Sequence, residues 1–203
     1  MSKADTLTTH YPDYDVLKLT DEWDSHTMEI ILKRLGPFSA PGYFSEWETA
    51  SLKAVIQNLV FDNRDNIIDW IVFHLDNKMT SQIGEDQRKS GLPPENVLIR
   101  EGLAAIDHAS RQKFGKGFKE LDGDKQFKII SALQLGQLQP LSEWSRIPQR
   151  DLFSKLLTEI VSAYYSHPEV WSEIGYGGPA YPRGYVRIEY GLTDPWEARG
   201  DGK

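Results

Sequence analysis

The stretch Ser45-Glu-Trp-Glu-Thr-Ala-Ser-Leu-Lys-Ala-Val-Ile-Gln-Asn-Leu-Val60 decides the fold class. It opens as a capping box, in which the Ser45 hydroxyl caps the amide of residue 48 and the Glu48 carboxylate reaches back to the amide of residue 45. Behind the box, apolar side chains recur at helical spacing, which predicts an amphipathic helix with one buried face. These side chains are Leu52, Val55, Ile56, Leu59 and Val60.

The same periodicity predicts helices on both sides of this stretch. A helix is expected over Asp21–Leu35, and Gly36-Pro37 ends it. Later helices are expected after Asp65, over Asn96–Lys113, after the cap at Asp122 and after Pro148. The last of these is the most apolar and is expected to be central. The sequence therefore predicts an all-α fold, with a single compact domain of about six helices.

The chain changes character at His167. Glycines and prolines follow at short intervals and forbid a long regular element. They are Gly175, Gly177, Gly178, Pro179, Pro182, Gly184 and Pro195. We therefore predict a flexible amino-terminal segment over residues 1–20, a helical domain over 21–166 and a long, irregular, aromatic C-terminal arm over 167–203.

Composition excludes several function classes. The chain has 203 residues, a formal net charge of −7 and no cysteine. An acidic surface is repelled by phosphate backbones, so no nucleic-acid partner is expected. Without cysteine there is no disulfide, cysteine nucleophile, thiolate zinc site or iron–sulfur ligand.

The chain offers no sign of insertion into a membrane. Its longest apolar stretch, Ile67–Leu75, is interrupted by Asp69 and is too short to span a bilayer. The amino terminus has neither an apolar signal region nor a twin arginine. We therefore expect no direct membrane insertion and a cytoplasmic location, with any membrane association made through a complex.

Candidate catalytic groups are sparse. The histidines form no pair at the spacing of a helical zinc motif, and Asp69 with His74 or Asp107 with His108 are the acid–base candidates. The run Gly175–Gly178 lacks the strand before it and the helix after it that a dinucleotide loop needs, so it is interpreted as a structural turn. No catalytic, cofactor-binding or metal-binding residue is assigned.

The arm is rich in the residue types that anchor protein interfaces. Tyr, Trp and Arg combine apolar area with a hydrogen-bonding group and concentrate at interface centres. The predicted partner-binding residues are Trp171, Tyr176, Tyr181, Arg183, Tyr185, Arg187, Tyr190 and Trp196. The sequence leaves open whether the arm contacts a partner or folds back over the helices of its own chain.

Several blocks together resemble the gluconate 2-dehydrogenase subunit 3 family. The blocks are Ser45–Glu48 and its helix, Arg100-Glu-Gly-Leu103 through Asp107, Phe114-Gly115, Phe118–Leu121, Tyr164-Tyr-Ser-His-Pro168, Trp171–Gly175, Gly178-Pro-Ala-Tyr-Pro-Arg-Gly-Tyr185 and Asp194-Pro-Trp-Glu197. Each block alone is weak evidence for this family, but their order and spacing together are fairly specific to it. The likeness covers roughly Asp21–Glu197.

The resemblance implies a small, non-catalytic subunit of a dehydrogenase complex for gluconate, sugars or polyols. In that family, the large subunit is an FAD-dependent flavoprotein of the glucose–methanol–choline (GMC) type, and a cytochrome subunit often takes the electrons onward. The small subunit is expected to assist folding, stability or maturation of the large one. FAD is expected in the partner and no cofactor in this chain. Many members carry a twin-arginine signal, so its absence here favours a complex inside the cell.

Two other functions stay open at this stage. Exposed aromatic faces also suit a free-standing carbohydrate-binding module, since such faces stack on sugar rings. A third interpretation is an enzyme that uses an Asp/His pair around His74 or His108.

Overall fold

The protein is helical throughout the part that the structure describes. The computed structural model describes residues 9–39, 42–81, 89–139, 142–187, 189 and 191–199. Within these residues there are seven α-helices and no strand, which confirms the all-α fold class. The α-helices are α1 (Ser25–Leu32), α2 (Glu46–Val60), α3 (Asp65–Ser81), α4 (Glu95–Phe114), α5 (Gly123–Leu135), α6 (Gln149–Tyr164) and α7 (Pro168–Ile174). Short 3-10 helices cover Val16–Glu22, Lys33–Leu35, Phe118–Glu120 and Ser142–Ser145.

The chain divides into two compact units. One comprises Met1–Pro37 together with Tyr165–Lys203, and the other comprises Phe38–Tyr164. We call them the terminal unit and the central unit. This division differs from the segments 1–20, 21–166 and 167–203 expected from the sequence, and that functional segmentation stays a prediction.

The capping box at the start of α2 is confirmed. Ser45 Oγ accepts a hydrogen bond from Glu48 N at 3.2 Å, and Glu48 Oε2 accepts one from Ser45 N at 2.8 Å. The helix ends at Phe61, which is in the left-handed conformation with φ 54°. The box therefore fixes where the main helix of the central unit begins, as its sequence predicts.

Two local predictions need correction. The helix expected over Asp21–Leu35 begins only at Ser25, because the Asp24 carboxylate caps Thr27 N at 2.7 Å; Asp21 belongs to the preceding 3-10 helix. The arm was expected to be irregular from His167 onward, yet its first residues form α7. Local caps decide both boundaries.

In the central unit, α6 contacts α2, α3, α4 and α5, and α2 and α4 each contact the other four of these helices as well. The prediction that the helix after Pro148 is central is confirmed, although α6 shares that position with α2 and α4 and is no more apolar than α2 or α3. Helices α2 to α6 each contribute side chains that solvent does not reach. Examples from these five helices are Ile56, Ile67, Ile99, Ile129 and Ile160.

Four charged side chains join three helices of the central unit. Lys78 of α3 lies 3.1 Å from a Glu95 oxygen of α4 and 2.6 Å from a Glu159 oxygen of α6. Lys155 of α6 lies 3.1 Å from the other Glu95 oxygen and 3.5 Å from the other Glu159 oxygen. Burial opposes the charge on Lys78, but its hydrogen bonds to Glu159 and Glu95 leave its pKa above the usual value. The two lysines and the two glutamates of this cluster therefore balance one another's charge.

A buried carboxylate anchors the loop before α2. Asp76 of α3 accepts hydrogen bonds from the backbone N–H groups of Gly42 and Tyr43, each at 2.9 Å, and of Phe44 at 3.0 Å. Three donors on one carboxylate satisfy amides that no helix ladder reaches. Asp76 therefore ties the entry of α2 to α3.

We expect Asp76→Ala to lower the free energy of unfolding by about 2–4 kcal/mol, because three amides lose a charged acceptor in a buried site. Chemical denaturation followed by circular dichroism measures this loss.

Asp69→Ala on the same helix is the matched control. Asp69 pairs with Lys53 at 2.5 Å, but both side chains are about half exposed, so its removal should cost at most about 1 kcal/mol. Equal losses in the two variants would contradict the anchoring role of Asp76.

Candidate partner-binding surface

The terminal unit has its own small hydrophobic core. Val16, Trp23, Ile31 and Trp171 are buried together, and Tyr14, Leu17 and Leu19 pack against them. These residues come from the amino-terminal segment, from α1 and from α7. The start of the arm thus packs on the amino-terminal part of its own chain.

Local caps form α7, although it has only seven residues. His167 Nδ1 accepts a hydrogen bond from Glu169 N at 3.3 Å, and Pro168 occupies the first turn, where its missing N–H costs nothing. Gly175 ends the helix in the left-handed conformation with φ 75°. The helix presents Trp171 to the core of the terminal unit.

Hydrogen bonds join α7 to the amino-terminal segment. Val16 N donates to Ser172 Oγ at 3.1 Å, and Thr9 Oγ1 donates to the carbonyl of Glu173 at 2.7 Å. Part of residues 1–20, which were expected to be flexible, is therefore paired with the C-terminal part of the chain.

The arm is held by a guanidinium between two indole rings. The Arg183 guanidinium carbon lies 4.5 Å from the ring centroid of Trp196 and 5.7 Å from that of Trp23. Its Nη2 donates to the carbonyl of Gly177. Burial lowers the pKa of Arg183 below its usual value, yet an arginine stays protonated at any physiological pH. We call Arg183, Trp23 and Trp196 the arginine clamp.

Two glycines make room for the clamp. A Cβ on Gly178 would lie 2.6 Å from Trp23 Cζ2, and φ there is +78°. A Cβ on Gly177 would lie 2.6 Å from Trp196 Cδ1 and 3.0 Å from the Trp196 carbonyl oxygen. The glycine run is therefore a structural turn, as interpreted from the sequence, and its lack of side chains lets both indoles approach.

A tyrosine from the amino-terminal segment secures the end of the arm. Tyr14 Oη donates to the Trp196 carbonyl at 2.7 Å. Burial raises the pKa of Tyr14 to about 12, with Arg183 partly opposing that rise. The neutral phenol is therefore the form that the fold favours.

We expect Tyr14→Phe to lower the free energy of unfolding by about 0.5–1.5 kcal/mol near neutral pH, because the hydrogen bond to Trp196 is lost. The wild-type advantage should persist below the unfolded pKa of about 10 and disappear as the pH rises through the folded pKa of about 12. Urea denaturation of both proteins between pH 7 and pH 12 measures the difference. A difference that does not change with pH would contradict this role.

A second carboxylate shapes the distal part of the arm. Asp194 is buried, and its Oδ1 accepts hydrogen bonds from Val186 N at 3.0 Å and Arg187 N at 2.7 Å. Asp194 N in turn donates to Glu197 Oε2 at 2.8 Å. The backbone on either side of residues 188–193 is thereby brought together.

Four large apolar or aromatic side chains in the distal part of the arm are exposed to solvent. Tyr181 is 69% exposed and Tyr185 is 73% exposed, and Val186 and Leu192 are also more than 45% exposed. We call these four residues the arm edge. Val186 and Leu192 were not among the predicted partner-binding residues, although apolar side chains in a Gly/Pro-rich segment were a signal that sequence reasoning had available.

The structure separates the predicted partner-binding residues into groups. Trp171 is buried, Arg183 and Trp196 belong to the arginine clamp, and Tyr176 packs edge-on against Trp171 with ring centroids 5.5 Å apart. Tyr181, Tyr185 and Arg187 are exposed, and Tyr176 is 39% exposed despite its contact with Trp171. Tyr190 lies outside the described residues. Contact of any of them with a partner stays a prediction, and the exposed tyrosines are the members available to make it.

The acid–base candidates have other contacts. Asp107 accepts hydrogen bonds from Phe118 N and Arg111 Nε, each at 2.8 Å, and His108 pairs with Glu143 at 2.9 Å. These two acid–base candidates are thus each engaged by a residue other than the one they were considered with. Asp69 pairs with Lys53, and His74 lies with its ring 5.5 Å from that of Trp70.

The described part of the chain holds neither a candidate metal site nor a candidate membrane span. No group of three or more His, Asp or Glu side chains there is arranged to hold a metal ion. No helix among those residues is both long enough and apolar enough to cross a membrane.

Comparison with known proteins gives one match. The family model described as gluconate 2-dehydrogenase subunit 3 matches residues 48–178, which is more than half of the chain. No curated protein and no solved structure matches the chain. The matched range begins within α2, includes α3 to α7 and ends at Gly178, the glycine that admits Trp23. The chain belongs to the gluconate 2-dehydrogenase subunit 3 family.

Proposed function

We propose that this chain is the non-catalytic small subunit of an FAD-dependent gluconate, sugar or polyol dehydrogenase complex. Its task is to assist folding, stability or maturation of the flavoprotein large subunit, which is of the GMC type and holds the FAD. Membership of the subunit 3 family supports a role within such a complex. A cytochrome is a further proposed partner, and the proposed location of the complex is the cytoplasm.

The observation that carries the proposal is the arm edge. Large exposed apolar patches on soluble proteins mark interaction sites, and the arm edge supplies four exposed apolar or aromatic side chains from one segment of the chain. Tyr181 and Tyr185 expose more than two thirds of their area, and Val186 is 62% exposed. Tyrosines of this kind supply contact area with few rotatable bonds. The arm edge is therefore our proposed contact with the flavoprotein.

The arginine clamp adds to the affinity of such a contact. Ordering a flexible segment on binding costs free energy, and a segment already held in place avoids that cost. Two held points lie within the arm edge: the clamp at Arg183 follows Tyr181, and backbone hydrogen bonds to Asp194 hold Val186 and Arg187. The clamp therefore acts by preorganising the edge, while the exposed tyrosines make the contact.

The proposal is tested by purifying the tagged chain from its native cells and recording the absorption spectrum of the eluate. A larger partner in stoichiometric amount, with a flavin spectrum and dehydrogenase activity on sugars, sugar acids or polyols, is the expected result. A colourless chain without a partner would contradict stable complex formation. Saturable sugar binding by that lone chain would favour the carbohydrate-binding module instead.

We expect the double variant Tyr181→Ala/Tyr185→Ala to retain much less flavoprotein than the wild-type chain, because interface energy concentrates in such side chains. Its melting temperature should match that of the wild type, since both side chains are exposed. Quantitative co-purification, normalised to the amount of tagged chain, measures the loss.

Tyr165→Ala is the matched control, because Tyr165 is a 52% exposed tyrosine of the terminal unit outside the arm edge. It should co-purify with the flavoprotein as the wild type does. Full retention of the flavoprotein by the double variant would place the contact elsewhere on the chain.

A further inference from the structure

The central unit carries an unusual residue at the end of α2. Phe61 has φ 54° and ψ 34°, which is the left-handed region. It is the one non-glycine residue with positive φ in the described part of the chain. A bulky side chain in this region is uncommon, because its Cβ crowds the backbone.

Other helices of this chain end at a glycine in the left-handed conformation. Helices α4, α5 and α7 end at Gly115, Gly136 and Gly175, each in the left-handed conformation. Glycine is the residue that adopts this cap without steric cost. Phenylalanine at position 61 therefore carries a backbone penalty that glycine at the same position would remove.

The contacts that the Phe61 side chain makes within the chain are too few to offset this backbone penalty. It is 70% exposed, and its ring lies 6.2 Å from that of Phe127 of α5, which is itself 49% exposed. A core role would have buried both rings. A strained backbone that holds an aromatic ring in water points to a use for that ring outside the chain.

The residue after Phe61 anchors the backbone at the end of α2. Asp62 is buried, and its carboxylate accepts hydrogen bonds from Arg64 N at 2.9 Å and from Tyr164 Oη at 3.2 Å. The Arg64 guanidinium also donates to both oxygens of this carboxylate. Phe61 is thus presented on an anchored backbone, as interface anchors are.

We propose that Phe61 and Phe127 form a second contact with the flavoprotein large subunit, in addition to the arm edge. This inference rests on the proposed function, since it assigns a further contact to the same partner. The site on the partner would be an apolar pocket that takes the Phe61 ring, with the Phe127 ring covering its rim.

The exposed area argues for this partner and against a second copy of the chain. A fully exposed aromatic side chain offers about 150–250 Å², so these two rings expose roughly 200–300 Å². A stable interface buries about 800 Å² on each partner. The two rings are therefore too small to hold a dimer alone, and they suit a partner that also contacts the chain at another place.

The Phe61→Gly variant removes the aromatic ring but keeps a residue that adopts the left-handed conformation, so it tests the ring alone. We expect its melting temperature to be no lower than that of the wild type, because glycine fits the left-handed cap. Its Kd for the purified flavoprotein, measured by titration on immobilised chain, should rise about tenfold or more. Phe61→Ala should raise the Kd equally with a melting temperature close to that of the wild type, because alanine keeps the left-handed penalty, and Phe61→Trp should retain binding.

Leu32→Ala is the control, since Leu32 of α1 is also an exposed apolar side chain, and its Kd should not change. An unchanged Kd for Phe61→Gly would overturn this inference and leave the proposed function standing. A wild-type chain that binds no flavoprotein would overturn both. A wild-type dimer that Phe61→Gly converts to monomer would also overturn it, by making the occupant a second copy.

Discussion

A guanidinium between two indole rings holds the arm of this protein in place. Arg183 lies against Trp196 and Trp23, and the fold admits these rings only because positions 177 and 178 carry no side chains. A cation on aromatic faces is worth about 0.5–2 kcal/mol, with more gained as water is excluded. That energy is modest, but the contact joins residues far apart in sequence. The placement of the exposed tyrosines on the same arm depends on it.

The two compact units are stabilised by different kinds of interaction. The central unit buries aliphatic side chains of α2 to α6 and uses a buried carboxylate, Asp76, to fix the loop that enters α2. The terminal unit has fewer aliphatic side chains, so it relies on tryptophans, on the clamp and on hydrogen bonds such as that of Tyr14. Each unit nevertheless leaves aromatic side chains in water, which is consistent with a protein that works by binding another.

The function proposed here requires stable presentation of surface rather than reactive groups. Several charged side chains of the central unit are engaged in local structure: Asp107 caps the turn at Phe118, and Lys78 joins Glu95 and Glu159 across three helices. Each of these arrangements satisfies buried charge within the central unit. The proposed contacts are made by apolar and aromatic side chains, and aromatic residues are enriched where protein interfaces concentrate their energy.

The sequence by itself determined the all-α class, the capping box of α2, the central position of α6 and the family. All four follow from local signals, namely helical periodicity, caps and short blocks in fixed order. It did not determine α7, whose seven residues are too few for a periodic pattern, or the pairing of residues 9–23 with the arm. By composition alone, Trp171, Arg183 and Tyr185 were equally predicted to contact a partner. Only the tertiary structure separated the buried and clamped side chains from the exposed ones, because burial depends on contacts between residues more than 150 positions apart.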